Sequence, residues 1–162
     1  MITIRRFIPA DGESVRQLIV GIMDKEFQDA KDAYPTQDID HIDQSYSGLG
    51  EAFFVAINGN KVVGSVAIKK EDERVALLRR LFVDASYRKQ QLGDKLIDRA
   101  LKFCDEVGYK ELVFKTTSQM VGAVKLCQKR GFIQRAKIQL GSLELLKFSL
   151  PIRNGLKDQK DN

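Results

Sequence analysis

VALLRRLFVDASYRKQQLGDKLIDRALKFCDEV, running from Val75 to Val107, is the stretch whose reading decides the fold. Its first part, Val75 to Val83, is apolar except for Arg79 and Arg80. That length and Val/Leu/Phe content predict a strand buried on both faces. Asp84-Ala85-Ser86 reads as a turn, and Arg88-Lys89-Gln90-Gln91-Leu92-Gly93 as a basic and polar loop. Beyond it Leu92, Leu96, Ala100, Leu101, Cys104 and Val107 recur at helical spacing, and Gly108 supplies a stop signal. Strand, basic loop and helix in that order make an anion cradle. The first N–H groups of a helix lack internal acceptors, and the helix dipole is positive at that end. A diphosphate there collects several N–H bonds from the loop and first turn, Arg88 through Lys95. Arg88 and Lys89 add positive charge, and Gly93 leaves room for a close ligand approach.

The rest of the chain bounds what this cradle can serve. A chain of 162 residues with 43% apolar content is one domain with a real core, set here at residues 1–152, followed by a polar tail at 153–162. The net charge of +5 has two readings, ordinary solubility or attraction of an anionic ligand such as a nucleotide cofactor. No basic block is interleaved with aromatics, so nucleic acid is not an expected partner. Cys104 and Cys127 make neither a disulfide framework nor a metal spacing, and His41 is the single histidine. Neither a metal site nor a Ser-His-Asp triad is expected. The N-terminus lacks an apolar signal region and no apolar run approaches ~20 residues, so a cytoplasmic protein without membrane contact is expected.

Outward from the central stretch, Met1–Phe7 reads as a strand and Glu13–Phe27 as a helix capped by Asp11 or Ser14. Ala30–Gly50 is polar and irregular, with a short helix starting near Asp38. Ala52–Asn58 and Lys61–Lys69 flank Gly59-Asn60 as a hairpin. Lys110–Thr116 is a strand and Val121–Arg130 a short amphipathic helix; Ile133–Leu140 and Leu143–Leu150 form a last hairpin. The order β, α, (α), β, β, β, α, β, α, β, β argues an α+β class, a mixed α/β sandwich.

The run V-D-x-x-Y-R-x-x-x-L-G-x-x-L resembles the acetyl-CoA-binding motif of the GNAT superfamily of N-acetyltransferases, in which Gln or Arg is followed at set spacing by Gly and then Gly or Ala. Arg88 and Gly93 match the ends of that pattern. Gln91 stands where the family usually has its first Gly, and Lys89 where a further Gly is common. A second resemblance lies at Val121–Phe132, where Ala123, Cys127, Gly131 and Phe132 occupy the places of a family pattern of Ala, Tyr and Gly-Phe. The resemblance spans about Ile2 to Leu150 and implies a mostly antiparallel central sheet with helices on both faces. It implies acetyl-CoA as cosubstrate, held by Leu81, Phe82 and Val83 along its arm and by Arg88, Lys89, Gln90, Gln91, Leu92, Gly93, Asp94 and Lys95 at its diphosphate.

The resemblance also implies direct attack of an amine on the thioester. A main-chain N–H near Phe82 is the expected oxyanion donor. The family Tyr that protonates the departing thiolate is replaced by Cys127, which reads either as a general acid or as a packed core thiol. Some members use a Glu on the central strand as base. Here Arg74–Val83 holds no acid; Glu73 and Asp84 sit at its ends, and spacing does not choose among Glu51, Glu111 and Glu144. Arg79 and Arg80 have two readings. Because successive strand residues face opposite ways, one of them lines the acceptor pocket and favours an acidic substrate, or each pairs with a carboxylate at a sheet end. The combined reading is an N-acetyltransferase acting on a primary amine of a small molecule or peptide, with a homodimer compatible. The alternatives are an acyl-CoA-binding module without turnover and a basic nucleic-acid-binding domain.

Overall fold

The computed structural model describes residues 1–28 and 34–153. Seven strands form one sheet: β1 (Ile2–Arg6), β2 (Ala52–Asn58), β3 (Lys61–Lys70), β4 (Val75–Val83), β5 (Glu111–Thr117), β6 (Ile133–Leu140) and β7 (Leu143–Pro151). The helices are α1 (Gly12–Glu26), α2 (Gln37–Asp40), α3 (Ile42–Ser45), α4 (Leu92–Val107) and α5 (Val121–Lys129). The α+β class and its two helical faces are as expected. Of the polar tail, only Arg153 lies within the described residues, and residues 30–33 of the irregular stretch also fall outside them.

The strand order is β1-β2-β3-β4-β5-β7-β6. Every neighbouring pair is antiparallel except β4 and β5, which are parallel. That exception follows from α4, whose crossover carries the chain back so that β5 starts at the same end as β4. One core lies under α4, where Leu92, Leu96, Ile97, Ala100 and Cys104 pack on Phe54, Val66, Ala76 and Leu78. The other lies under α1, where Val15, Ile19, Ile22 and Met23 meet Phe53, Val55, Ala67 and Phe82. Gly64 lets α4 approach closely, because a Cβ there would meet Leu96 Cδ1 at 3.1 Å and the Phe82 carbonyl at 3.2 Å.

Two local expectations change. Asp11 stands before α1 but does not cap it by hydrogen bond. Its carboxylate instead accepts from Arg5 at 2.8 and 3.0 Å and from the Ile8 N–H at 2.9 Å, so it ties the helix entry to β1. β4 is not buried on both faces. Ala76, Leu78, Arg80 and Phe82 are buried while Leu77, Arg79, Leu81 and Val83 are half-buried.

Candidate active site

β4 and β5 pair only from Val75↔Glu111 to Leu78↔Phe114. Beyond that point β5 is no longer alongside, and residues 79–83 leave one strand edge free. A cleft of ≈ 300 Å³ opens there, lined on one side by Arg79, Arg80, Leu81 and Phe82 and on the other by Val113, Phe114 and Lys115. Tyr34, Pro35 and Met120 complete its walls. Main-chain groups on such an edge need partners, so an extended amide-bearing ligand can occupy the place of a strand.

A bulge sets which groups face this edge. Between Ser65↔Phe82 and Ala67↔Arg79, β4 carries an extra residue, and Arg80 takes a left-handed backbone with φ +52°. The buried Ser65 hydroxyl donates to the Arg80 carbonyl at 2.7 Å and holds the bulge shut. On the far side, Asp84 N–H donates to the Val63 carbonyl at 2.9 Å. Antiparallel pairs alternate between bonded and non-bonded, so Phe82 is a bonded partner of Ser65 and turns its polar groups into β3. The groups of Val83, and of Leu81 as the strand leaves the bulge, turn toward the cleft. Arg88 Nε bears this out by donating to the Val83 carbonyl at 3.1 Å. The Phe82 main chain, expected to supply an oxyanion donor, therefore faces β3, and the cleft-facing groups are those of its neighbours. Phe82 contributes its ring to the wall and to the core under α1.

The loop after β4 leads onto the amino end of α4. Lys89 and Gln91 both adopt left-handed backbones, φ +62° and +64°, at the two places where the family pattern has glycine. The chain thus keeps the backbone shape without the residue that reaches it cheaply. Gln91 is the residue before the helix, and its carbonyl accepts the first helical bond, from Lys95 N–H at 3.1 Å. The N–H groups of Leu92, Gly93 and Asp94 in the first turn have no acceptor within the helix, so they remain open to an anion.

Three loop side chains are committed elsewhere. Arg88 forms a bidentate pair with Glu26 of α1, at 2.6 and 2.8 Å, which holds that carboxyl below the ordinary range. Asp94 pairs with Lys129 at 3.1 Å and Arg130 at 3.2 Å, so its charge is drawn toward α5 and away from the helix end. Leu92 is a core residue, 2% exposed. Gly93 serves packing: a Cβ on it would stand 2.7 Å from Leu126 Cδ2 of α5. Lys89, Gln90, Gln91 and Lys95 are exposed.

The bulge also changes the reading of the paired arginines. An ordinary strand would send Arg79 and Arg80 to opposite faces. The extra residue brings both to Asp38 of α2. Arg80 donates through Nε to Asp38 Oδ2 at 2.9 Å, through its other nitrogen to Asp38 Oδ1, and also to the Pro35 carbonyl. Tyr46 donates to the same carboxylate at 2.6 Å, while Arg79 reaches it only at 3.9 Å. Burial alone would raise the Asp38 pKa, but the Arg80 and Tyr46 hydrogen bonds and the nearby charges bring it below the ordinary value. Burial and Asp38 together push the Tyr46 phenol up, so it stays a neutral donor. Asp38 and Tyr46 carried no assigned role in the sequence; a polar stretch without periodicity offers no signal for such a contact.

Cys127 does not join the cleft wall. It is 0% exposed within the core under α4, and burial pushes its thiol up to about 12. The carboxylates named as candidate bases are also elsewhere. Glu51 accepts from the Lys70 N–H at 3.1 Å, Glu144 pairs with Lys137 at 3.2 Å, and Glu111 starts β5 at the opposite end of the strand pair. Glu73 pairs with Lys70 at 2.6 Å, and Asp84 caps the turn through Ser86 N–H at 2.9 Å. Among the described residues lining the cleft there is no carboxylate.

A free strand edge running onto the open amino end of a helix fits a ligand with an amide-bearing arm and a diphosphate. In agreement, residues 16–132 match the acetyltransferase (GNAT) family, and the chain belongs to that family. Among individual proteins, it is 36% identical over 101 residues to human N-acetyltransferase 8, covering 59% of this chain and 44% of that protein. It is 36% identical over 97 residues to N-acetylaspartate synthetase of Xenopus tropicalis, covering 59% of this chain and 36% of the other. The chain thus spans less than half the length of these relatives. A GNAT-family acetyltransferase from Staphylococcus aureus Mu50 superposes with a TM-score of 0.82 at 22% identity, over 94% of this chain and all of that one. The Salmonella typhimurium protein yncA, solved with its cofactor acetyl-CoA, superposes with a TM-score of 0.78 at 18% identity, over 96% of each chain. At such identities these neighbours show the fold.

Proposed function

We propose that the protein transfers the acetyl group of acetyl-CoA to a primary amine of a small molecule or peptide by direct attack. The observation that carries this reading is the separation of β4 from β5 after Leu78↔Phe114, which ends at the amino terminus of α4. The main chain of Leu81 and Val83 holds the arm and orients the thioester, with an N–H of this edge facing the oxyanion. The N–H groups of residues 89–94, with the side chains of Lys89 and Lys95, hold the diphosphate. Arg88 acts from the side by fixing the Val83 carbonyl. The amine forms the new C–N bond, the C–S bond breaks, and coenzyme A leaves as the thiol. Cys127 is a packing residue, so water in the cleft carries both protons. Most of the rate enhancement then comes from holding two reactants in line.

Two buried, unpaired cysteines support a reducing cytoplasm as the compartment. Among the described residues no helix is long and apolar enough to cross a membrane. A second copy of the chain is a fitting partner at β6, an edge strand whose Ile133, Ile138 and Leu140 are 51%, 55% and 57% exposed. Residues 1–152 are taken as one domain.

Thermal denaturation with acetyl-CoA, followed by thiol release with a panel of amines, tests the reading. Stabilisation by acetyl-CoA and amine-dependent thiol release are expected. Stabilisation without release from any amine would leave the binding-module alternative. No stabilisation would remove acetyl-CoA as ligand.

A further inference from the structure

An amine acceptor is a cation at neutral pH, so a site built for a simple amine or a polyamine is served by carboxylates. The cleft has the opposite balance. Arg79, Arg80 and Lys115 line it, and no carboxylate does among the described residues. Asp38 stands behind that wall and is committed to Arg80, whose side chain is only 4% exposed. Arg79 is different. Its side chain is 38% exposed and its contact with Asp38 is 3.9 Å, too long for a hydrogen bond. One carboxylate cannot neutralise two guanidiniums, and Lys115 adds an exposed ammonium from β5. The excess charge is not needed for the diphosphate, whose place is the loop beyond Val83. Arg79 and Lys115 stand where the two strands have just parted, next to Tyr34 and Pro35 of the segment leading into α2.

Resting on the acetyl-transfer reading, we infer that the acceptor carries a carboxylate close to its amine, as an amino acid does, and that Arg79 is the residue that reads it. The carboxylate takes the donors that Arg79 does not give to Asp38, while Lys115 supplies longer-range attraction. Arg80 and Asp38 form the rigid backing that holds Arg79 on the acceptor side of the bulge. Arg79 is thus a specificity residue with no role in breaking the thioester.

The test uses matched acceptors on the whole chain: L-phenylalanine against phenethylamine and L-lysine against cadaverine, with L-aspartate, L-glutamate and spermidine alongside. The carboxylate-bearing member of each pair is expected to have kcat/KM higher by at least about 10-fold. Arg79→Ala should raise KM for the amino acids by about 10-fold with kcat less affected, leaving the decarboxylated amines within about 2-fold. Arg79→Lys should recover part of the loss. Stabilisation by acetyl-CoA should be the same in all variants, which separates this role from a structural one. Equal or better turnover of the decarboxylated amines, or of spermidine, overturns the inference and leaves acetyl transfer standing. A carboxylate preference that survives Arg79→Ala overturns the assignment to Arg79. Binding of acetyl-CoA with no amine consumed overturns the acetyl-transfer reading, and the inference with it.

Discussion

Arg80 Nε lies 2.9 Å from Asp38 Oδ2 although the two residues are 42 positions apart in the chain. The pair joins the bulge of β4 to the short helix α2, and so fixes one wall of the cleft against the sheet. Both partners are largely withdrawn from water, with side chains 4% and 12% exposed.

Breaking this pair from the acidic side should be costly, because it leaves a buried guanidinium without its counter-charge. Asp38→Ala is expected to lower unfolding free energy by about 3–5 kcal/mol, measured by urea denaturation. The pH dependence follows from the direction of the shift. Asp38 is held below its ordinary value when folded, so its contribution is fully present above the unfolded pKa of ~3.9 and is lost as pH falls through the lower folded value. Asp38→Asn should therefore flatten the acid limb of the stability profile below about pH 4. A profile as steep as that of the parent would exclude Asp38 as a source of it.

Gln91 occupies a left-handed backbone, φ +64°, with its side chain exposed. Replacing it by glycine relieves about 1–2 kcal/mol of local cost, against which glycine loses about 0.5–1 kcal/mol of chain entropy. The net expectation for Gln91→Gly is a gain of up to about 1.5 kcal/mol, a rise of up to about 3–6 °C in melting temperature. Affinity for acetyl-CoA should be kept, since the backbone N–H groups are unchanged. A fall in melting temperature would mean that the Gln91 side chain contributes to the loop.

Gly93→Ala places a methyl group 2.7 Å from Leu126 Cδ2, so the Leu126 side chain must shift. A loss of about 1–3 kcal/mol is expected, together with a higher KM for acetyl-CoA, because the contact lies in the first turn of α4. Adding Leu126→Ala should restore most of both. If the double variant is no better than Gly93→Ala alone, the glycine is needed for the ligand and not for the packing.

Cys127→Ala separates packing from chemistry. Loss of a general acid would lower kcat by about 10²–10⁴-fold. A thiol buried in the core and pushed up to about 12 predicts instead a stability loss of about 1 kcal/mol with kcat within about 3-fold of the parent. Native protein should also leave this thiol unreactive toward a disulfide reagent at pH 8, since it stays protonated and covered.

How much of this could be read without coordinates differs by feature. The alternation of strands and helices, the crossover through α4 and the strand-loop-helix junction after Val83 all follow from local periodicity and turn residues, which act over a few positions. The left-handed residues 89 and 91 were foreshadowed by departure from a glycine pattern. Nothing local announces the bulge at Arg80, because an arginine in that backbone shape is held there by Ser65 and Asp38, which are distant in the chain. That single extra residue turned both arginines to one face and moved the cleft-facing amides off Phe82. It needed the paired strands to be in register before it existed, as did the burial of Cys127 and the capture of Arg88 by Glu26. Local spacing therefore determined the order of the elements and the place of the loop between β4 and α4. Which polar groups remain free within it was decided only when side chains far apart in sequence competed for the same partners.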